Sequence, residues 1–142
     1  VALSHEAKLL ILDEATSGLD PIARDEILNI LYDFTRDDDH SILISSHILS
    51  DLEKLCDYIA FIHKGKLLFC EEKDKLLEKY GVLKCSEEDF KVIDPKAVHG
   101  VRRNNYCIEA LVETSMIPSS ISVERASIED IIVFIAKEGI ER

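Results

Sequence analysis

Three observations predict an α/β domain followed by a small α+β appendage. Two short apolar runs, Leu9-Leu-Ile-Leu12 and Ser41-Ile-Leu-Ile-Ser45, flank a stretch with helical periodicity. The later sequence alternates strand-like runs with Pro, Asn and Ser breaks and closes on one amphipathic segment. Charge shifts between the halves, from a net of -9 up to Glu72 to -2 from Lys73 onward. The expected division is residues 1–72 and residues 73–142.

Leu9 to Leu12 has the pattern of a strand covered on both faces. Asp20-Pro21 starts a helix, with Asp20 as N-cap and proline at the first helical position. Ile27, Ile30, Leu31 and Phe34 give that helix one apolar stripe, and the polar run from Arg36 to His40 ends it. Ser41 to Ser45 reads as a second buried strand. Two strands joined by a helix of this length form a right-handed βαβ unit, so they are expected to be parallel. Residues 48 to 56 read as helical, with Leu49, Leu52, Leu55 and Cys56 on one side. Tyr58 to His63, the turn Lys64-Gly65-Lys66 and Leu67 to Cys70 form a hairpin pattern.

Lys73 to Tyr80 reads as a helix closed by Gly81. Strand candidates follow at 82–86, 98–102, 105–113 and 121–125. The last helix starts at Ser127, where Ser127-Ile-Glu-Asp130 resembles a capping box with aspartate in place of glutamate. Ile128, Ile131, Ile132 and Ile135 form its apolar face, expected to be core.

Composition narrows the function classes. The 142 residues carry 28 acidic and 17 basic side chains, a net charge of -11, with 46% hydrophobic residues. A chain this apolar can bury a core, and one this acidic repels phosphate backbones, so no nucleic-acid partner is expected. The longest apolar run, Ile131 to Ala136, is too short to span a bilayer. No basic segment followed by an apolar run opens the sequence, so no signal peptide is expected. The cysteines at 56, 70, 85 and 107 contain no CxxC pair, and reduced thiols are the expectation.

The chemistry concentrates where the first strand ends in two carboxylates, Asp13 and Glu14. Successive strand side chains leave in opposite directions, so the two carboxylates cannot share one task. They also stand at the carboxyl end of a parallel strand, where open α/β sheets place their ligands. One can hold a Mg²⁺ ion while the other orients a water, the pair of tasks that phosphoanhydride hydrolysis needs. Taken alone, the pair also fits a strand end that is merely solvated.

Ala15-Thr16-Ser17-Gly18-Leu19-Asp20-Pro21 follows at once, and the second strand ends in Ser45-Ser46-His47. Here the sequence resembles the ATP-binding cassette (ABC) family of transport ATPases. Leu9 to Glu14 is similar to its Walker B strand, Ser17-Gly18-Leu19-Asp20 to its D-loop, and His47 stands at its switch-histidine position. The likeness extends through the Lys64-Gly65-Lys66 hairpin, about half of the chain. It implies a partial P-loop NTPase fold, with Asp13 on Mg²⁺, Glu14 as general base and His47 on the γ-phosphate. It also implies that Ser17, Gly18 and Asp20 are cofactor-binding positions at the interface with a second cassette. Further implications are ATP as cofactor, a transmembrane permease partner, and a cytoplasmic location on the inner face of the plasma membrane. Ala15 replaces the family's commoner proline. Ala126-Ser127-Ile128-Glu129-Asp130-Ile131 is similar to the ends of bacterial ABC-2-type exporter ATPases, including those linked to drug or bacitracin resistance.

The family's phosphate-cradling GxxxxGK[ST] loop needs closely spaced glycines. The five glycines lie at 18, 65, 81, 100 and 139, so no such loop can be written, and the glutamine loop and signature motif are missing too. The expectation is the C-terminal half of a cassette, starting past the signature, inactive alone and with an exposed sheet edge. A non-catalytic module that binds a membrane subunit or a complementary half-cassette is the alternative. A chromosome-maintenance ATPase of the same superfamily ranks below both, since no heptad run appears. His5, His40, His63 and His99 lack metal-ligand spacing, Asp37-Asp38-Asp39 reads as a loop, and Arg102-Arg103 is too small a basic patch for nucleic acid.

Overall fold

The computed structural model describes residues 7–104 and 106–138, so His5 and Asn105 lie outside the described residues. The fold is a mixture of helices and strands in two compact units, Val1–Cys56 and Asp57–Arg142.

In the first unit, β1 (Leu9–Asp13), α1 (Pro21–Phe34), β2 (Ser41–Ser45) and α2 (Leu49–Leu55) follow in order. The strands pair in parallel as expected, from Leu9 opposite Ser41 to Asp13 opposite Ser45. Asp20 caps α1 by accepting the Ile22 and Ala23 N–H groups at 3.0 and 3.2 Å, and Pro21 occupies the first turn. Past the helix, Asp37 accepts the Asp39 N–H at 3.1 Å, and the His40 ring stacks on Phe34 at 4.3 Å. The aspartate run is therefore a turn.

Burial departs from the sequence expectation. Leu10 is buried, but Leu9, Ile11 and Leu43 are 55%, 71% and 63% exposed, so neither strand is covered on both faces. The apolar runs are those of a strand buried on two sides, yet among the described residues nothing covers the side that carries Leu9, Ile11 and Leu43. On α1 the buried positions are Leu28 and Leu31, while Ile30 is exposed and Ile27 and Phe34 are half-buried. The stripe is thus rotated toward Leu28.

In the second unit, β3 (Tyr58–His63) and β4 (Lys66–Glu72) form the expected hairpin. Its two-residue turn has φ of 48° at Lys64 and 73° at Gly65, the left-handed pair that matches strand twist. Then come α3 (Lys73–Lys79), β5 (Tyr80–Cys85), the one-turn α4 (Glu87–Phe90), β6 (Val98–Arg103), β7 (Ile108–Glu113), β8 (Val123–Arg125) and α5 (Ile128–Glu138). The last four strands form an antiparallel sheet of order β6-β7-β5-β8.

Alternation along these strands builds two cores, one on each sheet face. Val82 and Leu111 join Leu76, Ile128, Ile131 and Phe134 on one side, while Leu83, Ala110 and Val112 join Ile93 on the other. The capping box forms: Asp130 donates its N–H to Ser127 Oγ at 3.1 Å and accepts the Ser127 N–H at 3.0 Å.

Gly81 does not close α3. It lies inside β5, where an added Cβ would meet the Glu124 carbonyl at 2.9 Å and collide with Val123. Its missing side chain admits β8, and α3 is closed instead by Thr114 Oγ1, which donates to the Glu78 and Lys79 carbonyls at 2.9 and 3.1 Å. β8 is shorter than expected because Ile121 N–H turns back to the Pro118 carbonyl at 2.9 Å. Among the described residues, no helix is long and apolar enough to cross a membrane.

Candidate functional site

The site forms where β1 and β2 end side by side. Their parallel register sets Asp13 beside Ser45, and Ser45 Oγ donates a hydrogen bond to Asp13 Oδ1. Glu14 then leaves the strand in the left-handed region, with φ of 49°. A residue other than glycine rarely holds that conformation unless its surroundings enforce it. Here the Glu14 N–H donates to the Ser45 carbonyl at 3.0 Å, extending the ladder by one residue, and the Glu14 carbonyl accepts the Ser17 N–H at 3.0 Å.

This turn aims the Glu14 carboxylate at His47, whose Nδ1 lies 2.7 Å from Oε2. A carboxylate only accepts, so Nδ1 carries the proton in this pair and Nε2 is left for another partner. Glu14 is half-buried and His47 is exposed. The two carboxylates therefore have different partners, a serine hydroxyl for Asp13 and an imidazole for Glu14.

Ser17, Gly18 and Asp20 lie on the exposed loop between β1 and α1. Gly18 has φ of 75° and open space where a side chain would stand. Asp20 spends its carboxylate on the cap of α1. The loop residues are thus not in hydrogen-bond contact with Glu14 or His47 side chains among the interactions described, whereas Asp13, Glu14 and His47 share one strand-end cluster.

Three further residues shape the site without having been singled out from sequence. Thr16 is 1% exposed and Asp51 2%. Thr16 Oγ1 donates to Asp51 Oδ2 at 2.7 Å, and Arg24 Nε donates to the same carboxylate at 2.8 and 3.0 Å. Burial pushes the Asp51 carboxyl upward, but the Arg24 and Thr16 hydrogen bonds and the Arg24 and Lys54 charges outweigh it and hold it below the usual range. The one local signal was Asp51 itself, four residues before Leu55 and so on the flank of the apolar stripe of α2.

A hydroxyl and a carboxylate at an exposed strand end are oxygen donors suited to a hard divalent cation that keeps water and substrate phosphates as its other ligands. Among the described residues, no cluster of three or more His, Cys, Asp or Glu side chains could cage a metal by itself.

No protein-family model matches the chain. Relatives do. The bacitracin transport ATP-binding protein BcrA of Bacillus licheniformis is 49% identical over 67 residues, 47% of this chain and 22% of that protein. The lantibiotic transport ATP-binding protein SrtF of Streptococcus pyogenes is 47% identical over 74 residues, 52% of this chain and 32% of that protein. The ABC transporter ATP-binding protein YtrB of Bacillus subtilis is 39% identical over 82 residues, 56% and 28% of the two. This chain is a relative of the ABC transporter ATP-binding proteins. The relation covers about half of the chain, and these curated relatives are matched over only 22–32% of their own length.

Proposed function

We propose that this chain is the C-terminal part of an ABC-type ATPase, whose first 72 residues supply half of a hydrolytic site and whose residues 73–142 form an accessory domain. The observation that carries this reading is the 2.7 Å Glu14–His47 pair beside Asp13, at the end of a strand whose sequence relatives are ATP-binding proteins.

In this reading Asp13, with Ser45 hydrogen-bonded to it, would hold a Mg²⁺ ion. The ion's contribution when bound is to neutralise charge on the phosphate oxygens. Glu14 accepts a proton from the water that attacks the terminal phosphorus, as the bond from phosphorus to the bridging oxygen breaks and ADP leaves. His47 donates its Nδ1–H to Glu14, and only as an imidazolium, with both ring nitrogens protonated, does it also donate Nε2–H to a phosphate oxygen. Ser17, Gly18 and Asp20 stand at the junction with a second cassette. The bare side of the β1–β2 pair, with Leu9, Ile11 and Leu43, supports a sheet completed by further strands and helices of a P-loop fold. Transport is the coupled work, as the relatives' names suggest, and a permease at the inner membrane face is the partner proposed for it.

The test is ATP turnover by the full-length protein. His47→Ala is expected to lower kcat by about 10²-fold; unchanged turnover would remove His47 from the mechanism. The wide glycine spacing favours a second reading, a split module without activity that binds a complementary half. In that case the 142-residue chain and a phosphate-loop-bearing partner would co-purify, and the reconstituted pair would still fail to turn over ATP.

A further inference from the structure

We infer that Asp51 is a positioning residue for the Glu14–His47 pair, a buried clamp that ties the loop after β1 and the first turn of α1 to the helix that follows His47. Its catalytic consequence rests on the reading of that pair as hydrolytic machinery.

The clamp joins three segments through one carboxylate. Thr16 stands two residues beyond Glu14, Arg24 lies in the first turns of α1, and Asp51 follows His47 by four residues. Both Asp51 oxygens are used: Oδ1 accepts from Arg24 Nε and Nη2, and Oδ2 accepts from Thr16 Oγ1 and Arg24 Nε. Arg24 Nη2 also reaches Ser50 Oγ at 2.9 Å, which adds a second tie to the same turn of α2. The planar guanidinium fork fixes direction as well as distance.

Both ends of the Glu14–His47 contact lie just outside regular elements, Glu14 held by one backbone bond beyond the β1–β2 ladder and His47 beside an Ile48 N–H that donates to Ser46 Oγ at 3.0 Å. Glu14 sits in a left-handed turn outside the strand. α2 has seven residues, and its N-cap, Ile48, provides no side-chain hydrogen bond. A short helix without such a cap is a poor anchor for the histidine preceding it. Asp51 supplies an anchor on that side, and through Thr16 it anchors the loop on the other. A displacement of about 1 Å in such a contact is enough to cost a reaction about 10²-fold.

Asp51→Asn keeps the shape but removes the charge and replaces one acceptor oxygen with a donor. The Arg24 fork, which only donates, then loses its ionic partner, or Thr16 must turn its hydroxyl round to accept. Amide hydrogen exchange by NMR on the 142-residue chain reads the result. The Ser17 amide, bonded to the Glu14 carbonyl, is expected to exchange about tenfold faster. The Ser41 amide, bonded to the Lys8 carbonyl at the other end of the strand pair, is expected to keep its rate. A merely structural role would accelerate both together, and that result, or no change at Ser17, overturns the clamp. Should Asp51→Asn fail to fold, Thr16→Val removes one arm while leaving the Arg24 contact. Thr16→Val should accelerate Ser17 exchange, and Thr16→Ser should restore it; equal behaviour of the two overturns the assignment.

In the full-length ATPase, Asp51→Asn is expected to lower kcat about tenfold with KM for ATP unchanged. Unchanged kcat would contradict a positioning role. Exchange rates do not depend on turnover. If Glu14→Gln left hydrolysis intact while the exchange pattern held, the catalytic reading would fall and the clamp would stand as a structural finding.

Discussion

The two units of this chain are held together by opposite means. In the second, the most deeply buried side chains are apolar: Leu83, Leu111, Val112, Ile128 and Ile131. In the first they are polar, Thr16 and Asp51, and among the described residues the buried apolar side chains are Leu10, Leu28 and Leu31 beside a bare sheet side. A four-stranded sheet with a core on each face is self-sufficient in the sense that its apolar alternation is satisfied internally. A two-stranded pair cannot cover a fully apolar strand, so the first unit leaves Leu9, Ile11 and Leu43 exposed, and its segments are tied through the Asp51 carboxylate to Thr16 and Arg24. A unit built around its own core and a unit built around a site look different at this level.

The largest effect expected from breaking that contrast is in the second unit. Leu111→Ala removes a side chain with no exposure from the middle of the sheet and should cost about 2–5 kcal/mol, read by chemical denaturation with second-unit signals. In the first unit, acid is the corresponding probe. Asp51 titrates below the 3.8 of an ordinary aspartate when folded, so the unfolded state takes up protons first as pH falls. The clamp's contribution is therefore complete above that value and is lost as pH drops through the folded one. First-unit signals should melt at lower temperature below about pH 4, and Asp51→Asn should flatten that dependence. Ser127→Ala should cost about 1 kcal/mol by removing both bonds of Ser127 Oγ with Asp130, visible as fraying of α5. Smallest of all is Ile11→Thr, which should change stability by about 0.5 kcal/mol or less because Ile11 is already exposed. The same change should weaken assembly with the rest of a cassette, and the gap between those two numbers measures how far that side is made for a partner.

Local pattern carried most of the architecture. The Asp20 cap, the Lys64-Gly65 turn and the Ser127–Asp130 box each depend on neighbours in sequence, while the parallel pairing of Leu9–Asp13 with Ser41–Ser45 spans 32 positions and follows from the handedness of a βαβ unit; each is present. What depended on distant packing was not legible. An apolar strand says that two sides want cover but not whether this chain supplies it, hence the open side at Ile11. Gly81 read as a helix stop because its local context allows one, yet the approach of Val123 from 42 positions away decides its place in β5. At the site, Asp13, Glu14 and His47 announced themselves through motif spacing. Thr16, Arg24 and Asp51 did not, since their ties run across 35 and 27 positions.

In the proposed function, Glu14 and His47 work as one unit. A double-mutant cycle on ATP turnover by the full-length protein tests it most directly. Glu14→Gln and His47→Ala should each lower kcat by about 10²–10⁴-fold, and the double variant should be no slower than the worse single one. Effects that multiply would mean the two residues act independently, and full turnover in either single variant would contradict the pairing outright.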